Sequence, residues 1–208
     1  RKFHRSWGLM LIQANIRAPC TLLDFPSLDR FIEEIRDKHY DIVGISSIIT
    51  NWLKVRKMCE LVRQYLPDAT IVVGGHIANL PDLGARIDAD QIVKGEGIAW
   101  FRGFLGEDPD SPIRHPQVSS AFGTRFMGVD LTVSNVTSAV LIPSVGCPMG
   151  CNFCSTSAMF GGKGKFVDFY ETGDELFDIM CQLETSMDTQ AFFVMDENFL
   201  LHRRRALR

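Results

Sequence analysis

DIVGISSI, residues Asp41–Ile48, is a near-continuous apolar run with Ser46 and Ser47 near its end. It is too short for a helix and lacks polar alternation, so it reads as a strand covered on both faces. Downstream, Val55, Met58, Cys59, Val62 and Leu66 recur at three- and four-residue steps, and Pro67 stops the pattern. That spacing predicts an amphipathic helix. TIVVGG (Thr70–Gly75) and QIVKG (Gln91–Gly95) are further strands, and GIAWFRGFL is a closing helix. Upstream, TLLDF (Thr21–Phe25) reads as a strand ended by Pro26. In SLDRFIEEIRDK, Ser27 is an N-cap, and Leu28, Phe31, Ile32 and Ile35 share one face. Gly8–Ile16 reads as a helix that precedes them all. Strands alternating with helices predict an α/β fold, a Rossmann-like (flavodoxin-like) doubly wound parallel sheet with helices on both faces.

In such sheets ligands bind beyond the carboxyl ends of the strands. Three loops leave those ends: SSIITN (Ser46–Asn51), GGHIANLP (Gly74–Pro81) and KGEG (Lys94–Gly97). All are rich in glycine or small hydroxyl residues, and Gly74 and Gly75 allow close approach of a ligand to the backbone.

Bulk properties narrow the partners. The chain has 208 residues, 46% hydrophobic and 23% charged, with a net charge of −3. That is globular composition, without a basic field for nucleic acid. No run approaches the ~20 apolar residues of a membrane helix, and no signal peptide is recognisable at the start. The terminal HRRRALR reads as a solvated helix face. Six cysteines are too few for a disulfide scaffold of this length, so a cytoplasmic protein with reduced thiols is expected.

Residues 106–137 change character. GEDPDSPIRHPQ carries Pro109, Pro112 and Pro116 and little periodicity, and predicts a surface linker over 111–137 between a first domain (1–110) and a second (138–208). From Ser138 the strand–helix rhythm resumes. SAVLIPS is a strand that leads directly into VGCPMGCNFCSTS (Val145–Ser157). Thr172 and Glu175 form a capping box for a helix with Leu176, Met180 and Leu183 on its apolar face. AFFVM (Ala191–Met195) is a second strand, ending at Asp196-Glu197-Asn198, and HRRRALR begins another helix.

Cys147, Cys151 and Cys154 stand on one short loop after a strand. A structural zinc site wants four ligands, commonly two paired C-x₂-C knuckles, and no second knuckle exists. Disulfide pairing would leave one cysteine over, and Cys181 reads as a core residue in mid-helix. Iron–sulfur clusters are ordinarily held by four thiolates. Three would leave one iron without a protein ligand, as in metal sites that keep a position for substrate.

This stretch resembles the radical S-adenosylmethionine superfamily, whose hallmark is CxxxCxxC on the loop after the first strand of a partial β/α (TIM-like) barrel. The resemblance implies a 4Fe-4S cluster on Cys147, Cys151 and Cys154, with S-adenosyl-L-methionine chelating the open iron and split by an electron to give a 5′-deoxyadenosyl radical. It further implies that Phe153 packs near the adenine and that a polar or acidic residue among Asp196, Glu197 and Asn198, taken as Glu197, binds the amino group. The competing reading of Asp196 or Asn198 is a helix N-cap, and GGKGK (Gly161–Lys165) reads as a plain loop.

DIVGISSIITN, IVVGGH with Pro81, and VKGEG together resemble the cobalamin-binding domain that precedes the barrel in one branch of that superfamily. The resemblance implies that the Ser46, Ser47 and Thr50 loop faces the corrin, that Gly74 and Gly75 admit the nucleotide tail, and that His76 and Gly95 belong to the same site. The DxHxxG motif that supplies a cobalt ligand in free-standing cobalamin domains is absent, so His76 reads as a loop histidine. The first residue is Arg1, and a flavodoxin-like domain carries about five strands against the four read here, so a fragment is expected.

The expected activity is that of a cobalamin-binding radical S-adenosylmethionine enzyme, a methyltransferase acting on an unactivated carbon of a small molecule. An electron donor such as flavodoxin or ferredoxin would be its partner. Catalytic residues are not readable. A methylthiotransferase needs further cysteines in the first half, where only Cys20 and Cys59 exist. The remaining alternative is a non-catalytic module that binds an iron–sulfur cluster and a corrinoid.

Overall fold

The computed structural model describes residues 5–120, 125–126, 129–130, 138–189 and 191–207. The rest of the expected linker and the chain's first four residues lie outside them. The first half contains α1 (Trp7–Asn15), α2 (Leu28–Asp37), β1 (Ile42–Ser46), α3 (Trp52–Tyr65), β2 (Thr70–Gly74), the short α4 (Leu83–Arg86), β3 (Gln91–Ile92) and α5 (Ile98–Phe104). The strands form a parallel sheet in the order β1-β2-β3.

Strand alternation decides what each face meets. Ile45, Ile71 and Val73 point into a core with Phe31 and Ile35 of α2 and with Val55, Cys59 and Val62 of α3. On the opposite face, a Cβ at Gly44 would stand 3.5 Å from the ring of Phe101 in α5. Helices therefore lie on both faces, but the cover is fullest over β2, where Ile71, Val72 and Val73 are buried. Of DIVGISSI only Ile45 is buried, while Gly44 and Ser46 are exposed, so this strand is less covered than its apolar run predicts. Ser27 caps α2 as expected, its Oγ accepting the Arg30 amide at 3.3 Å.

Thr21–Phe25 does not form the expected strand. Asp24 turns back to the start of α1, where its carboxylate accepts the Ser6 amide at 2.8 Å and the Arg5 guanidinium at 3.1 Å. Phe25 then adopts φ +47° just before Pro26, which no ladder can follow. The first sheet has three described strands instead of the four expected.

The second half opens with β4 (Ser119–Ser120) and the two-stranded pair β5 (Arg125–Phe126) and β6 (Val129–Asp130). It continues with β7 (Ser138–Leu141), β8 (Ser144–Gly146), α6 (Ser155–Met159), β9 (Phe166–Asp168), α7 (Gly173–Met187), β10 (Ala191–Val194) and α8 (Arg203–Ala206). A second sheet has the order β10-β7-β4, with β10 parallel and β4 antiparallel to β7. Ala139 and Leu141 of β7 face Leu176, Ile179 and Leu183 of α7. Val140 and the following Ile142 face Leu11 of α1 and Ile98 of α5. The capping box of α7 is present: Thr172 Oγ1 accepts the Glu175 amide, and the Glu175 carboxylate accepts the Thr172 amide at 2.9 Å.

SAVLIPS is not one strand. Pro143 has no N–H to continue the ladder, so β7 ends and β8 starts anew at Ser144. β8 pairs antiparallel with β9, and the chain between them carries all three clustered cysteines. Nor is HRRRALR wholly solvated: Arg203 and Arg204 are exposed, but the Arg205 side chain is fully buried.

The two halves share the core made by α1, α5, Val118, Val140 and Ile142. Arg102 of α5 holds it shut. Its guanidinium, in a residue only 3% exposed, donates to Asn15 O at 2.7 Å, Asn15 Oδ1 at 3.1 Å and Pro112 O at 3.1 Å. A further bond reaches Ser111 O. Asn15 in turn donates to Arg114 O and accepts the Arg114 amide. Among the described residues, 109–118 of the proline-containing run are thus tied to both helices.

His115 completes this junction. Ile142 N–H donates to its Nε2 at 2.9 Å, so the proton sits on Nδ1, which donates to Pro116 O at 2.8 Å. Removal from water holds its pKa below the ordinary 6.5. The folded state therefore favours the neutral ring, and protons bind the unfolded chain first. This contribution to stability is complete above about pH 6.5 and declines as the pH falls below it. Chemical denaturation at about pH 7.5 and 5.5 is expected to show the loss. His115→Gln should flatten that dependence, and an unchanged slope would contradict the assignment.

Candidate functional site

The loops leaving β1 and β2 are bonded to each other. Ser47 N donates to Gly74 O at 3.2 Å, and Ile77 N donates to Ser47 O at 3.0 Å. A Cβ on Gly75 would lie 2.7 Å from Ser46 Oγ and 2.9 Å from Ser47 O. The room left by the missing side chain is thus taken up by the neighbouring loop. Gly74 would place a Cβ at ordinary contact distance, 3.7 Å, from Val93 O. Ser46, Thr50 and His76 are exposed and Ser47 is half-buried, so this end of the sheet presents hydroxyl and imidazole groups to solvent.

The loop from Cys147 to Lys165 is closed at its base by the β8–β9 pair and by the Cys147 amide, which donates to Lys165 O at 3.2 Å. Gly146 makes that closure possible. Its φ is +82°, and a Cβ there would stand 2.5 Å from both Lys165 O and the Phe160 ring. Cys154 N donates to Cys151 O at 3.2 Å, and Cys154 directly precedes α6 without a side-chain capping bond. All three thiols are free and half-buried. Among the described residues no group of three or more His, Cys, Asp or Glu side chains is gathered to hold a metal ion. The donor set suits a three-thiolate site, but the thiols share a loop without forming a ready-made chelate. Phe153 is 92% exposed at the loop surface. GGKGK is an ordered part of the closure, since Lys165 N donates to Gly162 O at 3.3 Å.

The acids after β10 divide their work. Asp196 is almost wholly buried. Its Oδ2 accepts Ser144 Oγ at 2.6 Å and Arg205 Nη2 at 2.9 Å, and its Oδ1 accepts the Asn198 amide at 2.7 Å. Arg205 continues to Asp168 of β9 and to Tyr170 O at 3.1 Å. His202 stacks on Phe166 of β9 with ring centroids 4.9 Å apart. This network clamps both strands below the cysteine loop and leaves Asp196 no free oxygen. Glu197 is different. The residue is exposed as a whole, and the nearby amide of Gly146, the residue before Cys147, acts only to lower its pKa. Loss of water around it, and then the charge of Asp196, raise its pKa above the ordinary range.

The two groups of loops meet. The Cα of Gly95, in the loop after β3, is 3.3 Å from where a Cβ on Gly161 would stand. Asn79 Nδ2 donates to Met159 O, at the end of α6, at 2.7 Å. The structure thus brings Gly95 against the cysteine loop. Asn79, Asp168 and Arg205 were invisible as site residues in the sequence, because their partners lie far along the chain.

Residues 4–105, α1 to α5, match the B12 binding domain family. An uncharacterised methyltransferase of Pyrococcus horikoshii is 23% identical over 197 aligned residues, covering 80% of this chain and 42% of that protein. An uncharacterised protein of Methanocaldococcus jannaschii is 34% identical over 79 residues, covering 38% of this chain and 15% of that protein. The chain spans less than half the length of these curated relatives. The first half is a domain of the B12-binding class. Among the described residues no helix is long and apolar enough to cross a membrane.

Gly146→Ala is expected to open the base of the cysteine loop. A left-handed backbone costs a non-glycine residue about 1–2 kcal/mol before any clash is counted. Thermal unfolding should fall accordingly, and proteolysis should begin within residues 147–165 of the loop. A variant as stable and as resistant as the parent would contradict the observed packing.

Proposed function

We propose that this chain carries the cofactor-binding part of a cobalamin-dependent radical S-adenosylmethionine enzyme, one that methylates an unactivated carbon of a small molecule. The observation that carries the reading is the apposition of the cysteine loop, through Gly161 and Met159, with the loops of the B12-binding half, through Gly95 and Asn79. A methyl carrier and a radical generator need a shared site, and the likeness to a methyltransferase supports the same class of reaction.

In this reading β7 and β10 are the first strands of a partial β/α barrel. Cys147, Cys151 and Cys154 hold a 4Fe-4S cluster, Phe153 and Glu197 hold the nucleotide, and Ser46, Ser47, Thr50, Gly74, Gly75, His76 and Gly95 line the corrinoid site. When bound, the cluster supplies the electron that cleaves S-adenosyl-L-methionine, and the corrinoid supplies the methyl group. The protein's share is positioning. Gly146 and the β8–β9 pair close the loop, and Asp196 with Arg205 fixes the strands below it. Glu197, with its raised pKa, keeps a proton to higher pH than an ordinary glutamate and is placed to bond a polar group beside the loop. An electron donor such as flavodoxin or ferredoxin is the partner this reading requires.

A methylthiotransferase fits less well. Cys59 is fully buried and its thiol is pushed up to about 11 by burial, while Cys20 stands apart and exposed. The first half therefore offers no second thiolate set among the described residues. The module reading keeps one observation in its favour. β10 is an edge of its sheet among the described residues, with Phe193 41% and Val194 39% exposed. In the module reading the chain would bind the cofactors without enclosing a substrate.

Anaerobic reconstitution with iron and sulfide is expected to load about four irons per chain. Cys147→Ala, Cys151→Ala and Cys154→Ala should each abolish loading, and Cys181→Ala should not. Hydroxocobalamin should bind the same chain, and His76→Ala should leave the corrinoid spectrum unchanged. Loss of all iron in the Cys181 variant, or a spectral shift in the His76 variant, would contradict the assignment.

A further inference from the structure

Asn79 ends the 3₁₀ turn His76–Asn79 that follows β2. Its carboxamide nitrogen has two hydrogens, and both are used. One goes to His76 O at 3.3 Å within the turn, and the other to Met159 O at 2.7 Å, 80 residues away in sequence. Met159 is the last residue of α6, which begins directly after Cys154. Within that stretch Ala158 N donates to Cys154 O at 3.3 Å, and Cys154 N donates to Cys151 O at 3.2 Å. One side chain therefore joins the loop bearing His76 to a short run of backbone bonds that ends at two of the three clustered thiols. Gly95 and Gly161 touch backbone to backbone, with no side chain between to absorb a displacement. A shift of the β2 loop must either carry α6 with it or break the Asn79 bond.

We propose that Asn79 is a positioning residue that couples occupancy of the corrinoid loops to the arrangement of the cysteine loop. This rests on the cofactor reading above. A corrinoid that orders the turn 76–79 also fixes the acceptor geometry at Met159 O, and through α6 the placement of Cys154. Coupling of this kind is reciprocal, so a cluster on the thiols changes corrinoid affinity by the same factor. Asn79→Asp tests the bond with little change in shape. It removes both donor hydrogens and sets a carboxylate against two carbonyl oxygens, which turns attraction into repulsion.

Hydroxocobalamin is titrated, by absorption, into the 208-residue chain before and after anaerobic iron–sulfide reconstitution. The two dissociation constants are expected to differ by about fivefold or more. In Asn79→Asp and Asn79→Ala both loadings should persist, with the ratio falling close to one. A merely structural role for Asn79 would lower thermal stability and leave the ratio where it was. An unchanged ratio in variants that still bind both groups overturns this inference alone, as does a ratio of one in the parent chain. Failure of the parent chain to bind either group overturns the cofactor reading and this inference together.

Discussion

A buried guanidinium bonded to backbone carbonyls and an amide oxygen holds the molecule's two sheets against each other. Arg102 is desolvated, and an isolated charge in that position is costly unless its hydrogens are all placed. Carbonyls of α1 and of the chain at 109–112 supply the acceptors, and Asn15 bridges them to Arg114. With these bonds made, Val118 and β4 fall beside β7, and Val140 and Ile142 close on Leu11 and Ile98. The position of the cysteine loop follows, because it hangs from β7 through Pro143 and β8. The apposition of the two groups of loops thus depends on one satisfied cation about which the shared core is arranged.

The site shows how small residues and backbone bonds create proximity. Gly95 and Gly161 let two backbones touch, and Gly75 lets the β1 and β2 loops lock together. These are close approaches that a single methyl group would disturb. Larger polar groups are kept beneath the site. The Ser144–Asp196–Arg205–Asp168 network is buried except at Asp168, and among the described residues Arg205 Nε lacks a partner. Fixed charges there hold strands in place, while Glu197, one residue further, is exposed.

Much of this was legible in the sequence, where the signal was local. The periodicity of Asp41–Ile48 and Thr70–Gly75 placed two parallel strands, and Ser27 and Thr172 with Glu175 marked helix starts to the residue. The spacing of Cys147, Cys151 and Cys154 placed three thiols on one loop after a strand, and the structure keeps them there as free, half-buried thiols. What escaped was decided by distant partners. TLLDF has a strand's composition, but Asp24 is recruited to the start of α1. HRRRALR has a surface composition, but Asp168 and Asp196 draw Arg205 inside. Asn79 has no distinguishing sequence pattern, since its importance lies in reaching Met159. A turn, a cap or a spacing is written in adjacent residues, whereas a buried ion pair is written in residues that meet only after folding.

The central claim is that the loops after β1, β2 and β3 and the cysteine loop form one cofactor site. Electron paramagnetic resonance tests it most directly. The chain is reconstituted anaerobically with iron and sulfide, loaded with cobalamin and reduced, so that the cluster and cob(II)alamin each carry an unpaired electron. Two such centres held by touching loops must broaden or split each other's signals through dipolar coupling, and that is the predicted result. A spectrum equal to the sum of the two centres recorded separately would contradict the account.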